Sequence, residues 1–176
     1  GCYGNEAVHT PNLDQLAARG IRFERAHCTS ASCSASRSVI LTGLYNHATG
    51  HYGHSHNFHH FSTYDHVFSL PVMLEELAGY HTGRIGKYHV APEEVYRFGE
   101  VMHADQRNAA AMADSCVEFI ERNSNHPFFL YFCTSDPHRG GGTAKELPHQ
   151  PNRFGNPRPG SNGYPGVEEV KYDPEE

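Results

Sequence analysis

Cys33 and Arg37 stand one helical turn apart in SCSASRSVILTG, residues 32–43, with the small Ser32 and Ser34 on either side of the thiol. A small buried cysteine often does no more than pack. At the start of a helix, however, unpaired N–H groups and the positive dipole end attract an oxyanion. Arg37 would add a guanidinium to the same place. Lys87 and His89 alternate in HTGRIGKYH, a strand-like segment whose period of two would send both side chains from one face. His138 follows the apolar stretch PFFLYFCTS, at the kind of loop where α/β sheets collect their sites. Asp136 and Arg139 flank it, and could orient His138, touch a substrate or form a local ion pair.

These groups need elements to carry them. Thr10, Pro11, Asp14 and Gly20 mark the ends of a first helix holding Leu13, Leu16 and Ala17. IRFERAHC, residues 21–28, reads as a strand. A second helix runs from Ser34 through Leu41 and stops at Gly43. Ser69, Pro71 and Gly79 bracket a third, with Val72, Leu74 and Leu77 as buried positions. A short strand at HTGRIGKYH, a helix over 103–122 and a strand at PFFLYFCTS complete the series. The last is apolar on both faces, as strands in the middle of a helix-covered sheet are. The order favours α/β architecture.

Residues 45–66 carry histidines without helical or strand period, and read as an ordered loop. His54, His56, His59 and His60 could pack, line a pocket or bind a metal. Residues 139–176 are rich in Gly, Pro, Asn and charge and would not hold a core of their own.

Composition narrows the function classes. The chain has 176 residues, 38% of them hydrophobic, enough for one domain or part of one. No apolar run approaches the roughly 20 residues of a membrane span, and no charge run suggests a nucleic-acid arm. The net charge is −6 with 15 histidines counted as neutral, so an acidic compartment would make the surface more attractive to polyanions. Five cysteines without CxxC spacing argue against a zinc ribbon or a thioredoxin-type site.

CSASRSVILTG resembles the signature of the type I sulfatases, and GYHTGRIGKYH, residues 79–89, resembles their second signature in the expected order. Within that superfamily, NFHHFSTYDHVF, GKYHV and PFFLYFCTSDPHR are most similar to the heparan N-sulfatases, or sulfamidases. The resemblance runs over roughly residues 9–173. It implies an alkaline-phosphatase-like sandwich with a mixed central sheet covered by helices. Residues 1–138 would be part of its N-terminal catalytic domain, and residues 139–176 a Gly/Pro-rich loop segment of the same domain.

The resemblance also implies a chemistry. Cys33 would be oxidised by a formylglycine-generating enzyme, and the hydrated aldehyde would attack sulfur. A sulfamate already bears negative charge, so its oxygens must be neutralised before attack; Arg37 and Lys87 suit that task. His89 would assist the formylglycine hydroxyls, and His138 would protonate the departing amine, whose loss as an anion is prohibitive. His59 and His60, in the HHF element, are the expected pocket members, and Asp136 and Arg139 candidate substrate contacts. The expected metal is calcium, with residue 33 as formylglycine among its ligands. The Asp-Asp and Asp-Asn pairs that complete the family's calcium site have no counterpart here. The chain is therefore expected to be a piece of a longer enzyme, inactive alone, and secreted, periplasmic or lysosomal as its relatives are. Ala35 stands where proline is commoner in the signature. An O-sulfatase, a phosphoester hydrolase of the same superfamily and a noncatalytic sulfated-glycan binding module are the alternatives.

Overall fold

The computed structural model describes residues 1–6, 8–56, 58–135 and 138. In chain order the elements are α1 (Pro11–Arg19), α2 (Cys33–Thr42), α3 (Asn46–Thr49), α4 (Leu70–Ala78), β1 (His81–Gly86), β2 (Glu100–Met102), α5 (Ala109–Arg122) and β3 (Phe128–Cys133). The strands form one sheet in the order β2-β1-β3. Both pairings are parallel, with Arg84 opposite Val101 and Tyr131 and Gly86 opposite Cys133. Parallel strands need crossover connections, and α5 carries the chain from β2 past the central β1 to β3. This is the α/β arrangement expected from the order of elements. An antiparallel strand, which a mixed sheet requires, does not occur among the described residues.

Side chains alternate across the strands and divide the core in two. Ile85 and Leu130 pack with Met102 against Met112, Cys116 and Phe119 of α5, whose spacing of four and three places them on one helix face. Tyr131 joins Leu41 of α2, Val67, Val90, Val95 and Tyr96. The second cluster ties α2 to the sheet, and so carries Cys33 toward the ends of β1 and β3.

The helix ends follow their sequence signals. Ser69 precedes α4, and α2 stops where Gly43 turns left-handed (φ 69°) and returns its N–H to the Val39 carbonyl, the αL ending that glycine makes without steric cost.

Several expectations need correction. IRFERAHC forms no strand; Ile21 is 84% and Phe23 67% exposed, so its β-branched and aromatic residues find no sheet to join. In α4, Val72 is buried and Leu74 half-buried, but Leu77 is 77% exposed, because the helix lies on the core with its first turns only. β2 is three residues long, too short for a period to be read. The loop at 45–66 contains the single turn α3. β3 is half-buried along most of its length and pairs only with β1 among the described residues; β1 holds the central place. Residues 139–176 lie outside the described residues.

Candidate active site

Cys33 is the first residue of α2, after an extended Ser32 (φ −127°, ψ 132°). Ser34 and Ala35 are fully buried, which explains two small residues beside the thiol. The helix is held at this end by side chains that reach back from the histidine-rich loop. Asn46 donates from Nδ2 to the carbonyls of Ala35 (2.9 Å) and His51 (2.8 Å). His51, fully buried, has Nε2 2.8 Å from Ser34 Oγ and Nδ1 3.2 Å from Thr63 Oγ1. Thr63 Oγ1 in turn lies 2.6 Å from the Tyr96 hydroxyl. A satisfied polar chain of this kind fixes one geometry, since breaking any member leaves a buried group unpaired.

That chain has a pH signature. Burial pushes the His51 pKa below its ordinary 6.5, outweighing the hydrogen bonds to the backbone of Ala91 and Gly53 that raise it. The unfolded chain therefore binds a proton that the folded one resists, so the contribution to stability is complete above the unfolded pKa and falls as pH drops below it. Chemical denaturation should show midpoints declining between about pH 6.5 and 5, with a shallower decline in His51→Gln. Equal slopes for the two proteins would exclude His51 as the source.

The other half of the site comes from the sheet. β1 ends at Gly86 (φ 84°), after which the Lys87 N–H donates to the Cys133 carbonyl at 2.8 Å. Lys87 and His89 therefore lie beyond the strand rather than within it. Their side chains are brought to one cavity by the turn, in which His89 takes a left-handed conformation (φ 56°), uncommon for a residue with a Cβ. Arg37 Nη1 donates to the Lys87 carbonyl (2.7 Å) and to the Tyr131 hydroxyl (3.0 Å). The guanidinium thus clamps α2 to both strands. Burial works against its charge, but hydrogen bonding to Cys133 and Tyr131 more than offsets this and holds its pKa above the ordinary value.

Two histidines meet at the thiol, and a third lies behind them. Cys33 Sγ lies 3.2 Å from His89 Nδ1 and 3.7 Å from His54 Nδ1. His89 Nε2 lies 2.6 Å from His56 Nδ1, and the His89 ring stacks on those of His54 and His56. Burial, with His56, Lys87, His54 and Arg37 around it, pushes the His89 pKa down to about 4. At neutral pH the ring is uncharged, so one of its nitrogens donates and the other accepts.

Beside this cluster is a cleft of about 370 Å³ lined by Lys87, Tyr88, His89, Gln106, Arg107, Ser135 and His138. Its far wall is assembled from two loops. The Ser135 N–H donates to the Gln106 carbonyl (2.8 Å), and Arg107 Nη2 to the His138 carbonyl (3.2 Å). His89 belongs to both the cluster and the cleft. The structure thus brings Cys33 and His89 into contact, gathers Lys87, His89 and His138 around one cavity, and sets Arg37 behind them as a clamp. His59 and His60 are exposed; the His59 ring lies 6.2 Å from that of His54 and 6.4 Å from that of Phe61, between centroids. The loop histidines beside the thiol are His54 and His56. Asp136 and Arg139 lie outside the described residues. Gln106, Arg107 and Tyr131 were not legible as site residues, because no motif singles out a glutamine and an arginine after a three-residue strand.

Calcium takes oxygen ligands. The group with converging donor atoms, Cys33, His54 and His89, offers sulfur and nitrogen, a set suited to softer ions. As they stand, these residues do not fit calcium; an aldehyde oxygen at position 33 would supply one suitable ligand.

A family model for sulfatases matches residues 1–173. The N-sulphoglucosamine sulphohydrolase of Homo sapiens is 40% identical over 182 residues, covering 99% of this chain and 36% of that protein. The ulvan-active sulfatase of Formosa agariphila is 33% identical over 78% of the chain and 27% of its own length. An N-acetylglucosamine-6-O-sulfatase of Bacteroides thetaiotaomicron is 28% identical over 78% of the chain and 28% of its own. The chain therefore spans about a third of these relatives or less.

Proposed function

The chain belongs to the sulfatase family, and from that premise we propose that the protein carrying it hydrolyses sulfamates, removing N-linked sulfate from glucosamine residues of heparan-type glycans. One observation carries the catalytic reading: Cys33 of the first signature lies 3.2 Å from His89 of the second, 56 residues away in sequence. The choice of substrate is supported by the 40% identity to a sulphohydrolase of N-sulphoglucosamine along nearly the whole chain.

Oxidised to formylglycine, residue 33 would supply the oxygen nucleophile, and that conversion requires a formylglycine-generating enzyme as partner. The chain's own residues have four tasks. The start of α2 turns unpaired N–H groups toward the sulfo group. Lys87, on the cleft wall, neutralises its oxygens. His89, uncharged at neutral pH, accepts a proton from the hydroxyl that attacks. His138 gives a proton to the departing nitrogen. Arg37 acts mainly by holding the turn that carries Lys87 and His89. Asp136, Arg139, His59 and His60 are proposed contacts for the sugar, and residues 139–176 a segment of the same catalytic domain. Overall, R–NH–SO₃⁻ and water give the amine and hydrogen sulfate. Calcium is the family's expected metal; its remaining oxygen ligands would come from outside the described residues, and no step here depends on it. We assign the activity to a secreted, periplasmic or lysosomal setting. Among the described residues no helix is long and apolar enough to cross a membrane.

The test is sulfate release by the full-length protein from N-sulfoglucosamine and from glucosamine 6-O-sulfate. Preference for the sulfamate by about tenfold or more, corresponding to at least about 1.4 kcal/mol, is expected. Faster release from the O-sulfate, the substrate class named for the Bacteroides relative, would replace sulfamidase by O-sulfatase, and faster release of phosphate from an aryl phosphate would reject both. Glycan binding without turnover would leave a binding module. Mass spectrometry of the Cys33 peptide should find sulfur and two hydrogens replaced by one oxygen.

A further inference from the structure

We propose that the unoxidised form of the protein holds a zinc-like divalent ion at Cys33, His54 and His89. The three donor atoms come from the start of α2, the histidine-rich loop and the turn after β1, and all lie within 4.8 Å of one another. With zinc–sulfur and zinc–nitrogen bonds of about 2.3 and 2.0–2.1 Å, tetrahedral coordination needs sulfur-to-nitrogen separations of about 3.5 Å. The observed 3.2 and 3.7 Å bracket that value.

The surroundings suit the same reading. All three side chains are half-buried, leaving solvent access for entry and for a water in the fourth position. A metal-binding imidazole commonly donates its other N–H to a fixed acceptor, which sets the tautomer and aims the ligand. With Nδ1 of His89 on the ion, its proton sits on Nε2, 2.6 Å from His56 Nδ1. His56 is then a positioning residue that does not touch the metal. Binding forms a metal–sulfur bond and releases the thiol proton to solvent, with no change of oxidation state.

The inference does not rest on the sulfamidase reading, because formylglycine contains no sulfur and the tests use the thiol form. Full-length protein made without a formylglycine-generating enzyme would be titrated with Co²⁺. A single equivalent should bind with a thiolate-to-cobalt charge-transfer absorption, be displaced by Zn²⁺, and lose that absorption in Cys33→Ser. His54→Ala should weaken binding by more than the about 10- to 100-fold expected for His56→Ala, which removes only the orienting contact. Zn²⁺ should slow alkylation of the Cys33 peptide in the unaltered protein, a readout that needs no variant to fold. Cobalt binding without the charge-transfer absorption, unchanged affinity in His54→Ala, or alkylation of Cys33 unaffected by Zn²⁺ would each overturn the site. Loss of sulfamate turnover would leave it standing.

Discussion

Cys33→Ala is expected to lower sulfate release by the full-length protein by about 10³-fold or more, because it deletes the side chain proposed to become the nucleophile, around which the other proposed groups act. Folding should survive. Alanine has the best helix propensity of any residue, position 33 is only half-buried, and the contacts that fix this end of α2 run through Ser34, Ala35 and Asn46 rather than through the sulfur. Thermal midpoints within a few degrees of the unaltered protein would therefore accompany the lost activity. Cys33→Ser makes the sharper comparison. Its hydroxyl stands where the sulfur does and can be sulfated, yet it lacks the second hydroxyl whose proton would release the sulfo group, so the reaction should stop after at most one turnover with the peptide carrying the added group. Sustained turnover by either variant would reject formylglycine chemistry at position 33.

Gly86→Ala is expected to cost about 3 kcal/mol or more in stability. A left-handed backbone costs a residue with a Cβ about 1–2 kcal/mol, and here a Cβ would also overlap the Cys133 carbonyl oxygen and crowd Met112 Cε at 2.7 Å. That carbonyl accepts the Lys87 N–H, so relief of the clash must open the junction of β1 and β3. Gly43→Ala serves as the control. Its φ is +69°, but nothing lies within 4 Å of the added atom, and the cost should stay near the conformational value of about 1–2 kcal/mol. Urea unfolding of the two variants measures the difference directly, and equal losses would show that the contact with Cys133 carries no weight. Gly86→Ala should also lower sulfate release more than its unfolded fraction explains, since the turn it displaces carries Lys87 and His89 into the cleft.

The elements legible in the sequence are those whose signals are local. The ends of α2 and α4 were marked by Gly43 and Gly79, whose left-handed turns depend on backbone chemistry within a few residues; Ser69 precedes α4 but donates its hydroxyl to the distant Val95 carbonyl. The α/β order followed from helices alternating with apolar strands, whereas the parallel pairing came only from the structure. IRFERAHC misled because β-branched and aromatic residues report fitness for a sheet, not the presence of a neighbouring strand. Leu77 misled because helical period identifies one face without saying how far along the helix that face is covered.

The site divides in the same way. The sequence alone determined which chemistries were available: a thiol at a helix start, a guanidinium one turn later, an ammonium and an imidazole in a strand-like segment, a further imidazole after an apolar strand, and their order in two long motifs. Tertiary structure decided who meets whom. His54 and His89, 21 and 56 residues from Cys33, reach its sulfur, while His59 and His60 stay exposed. Arg37 spends two hydrogen bonds on the turn after β1 and on Tyr131, and Lys87 and His89 converge through a left-handed turn rather than a strand face. The physical reason is range. Capping and periodicity act over a few residues, whereas the meeting of a helix start with the ends of two parallel strands depends on how Leu41, Tyr96 and Tyr131 share one core.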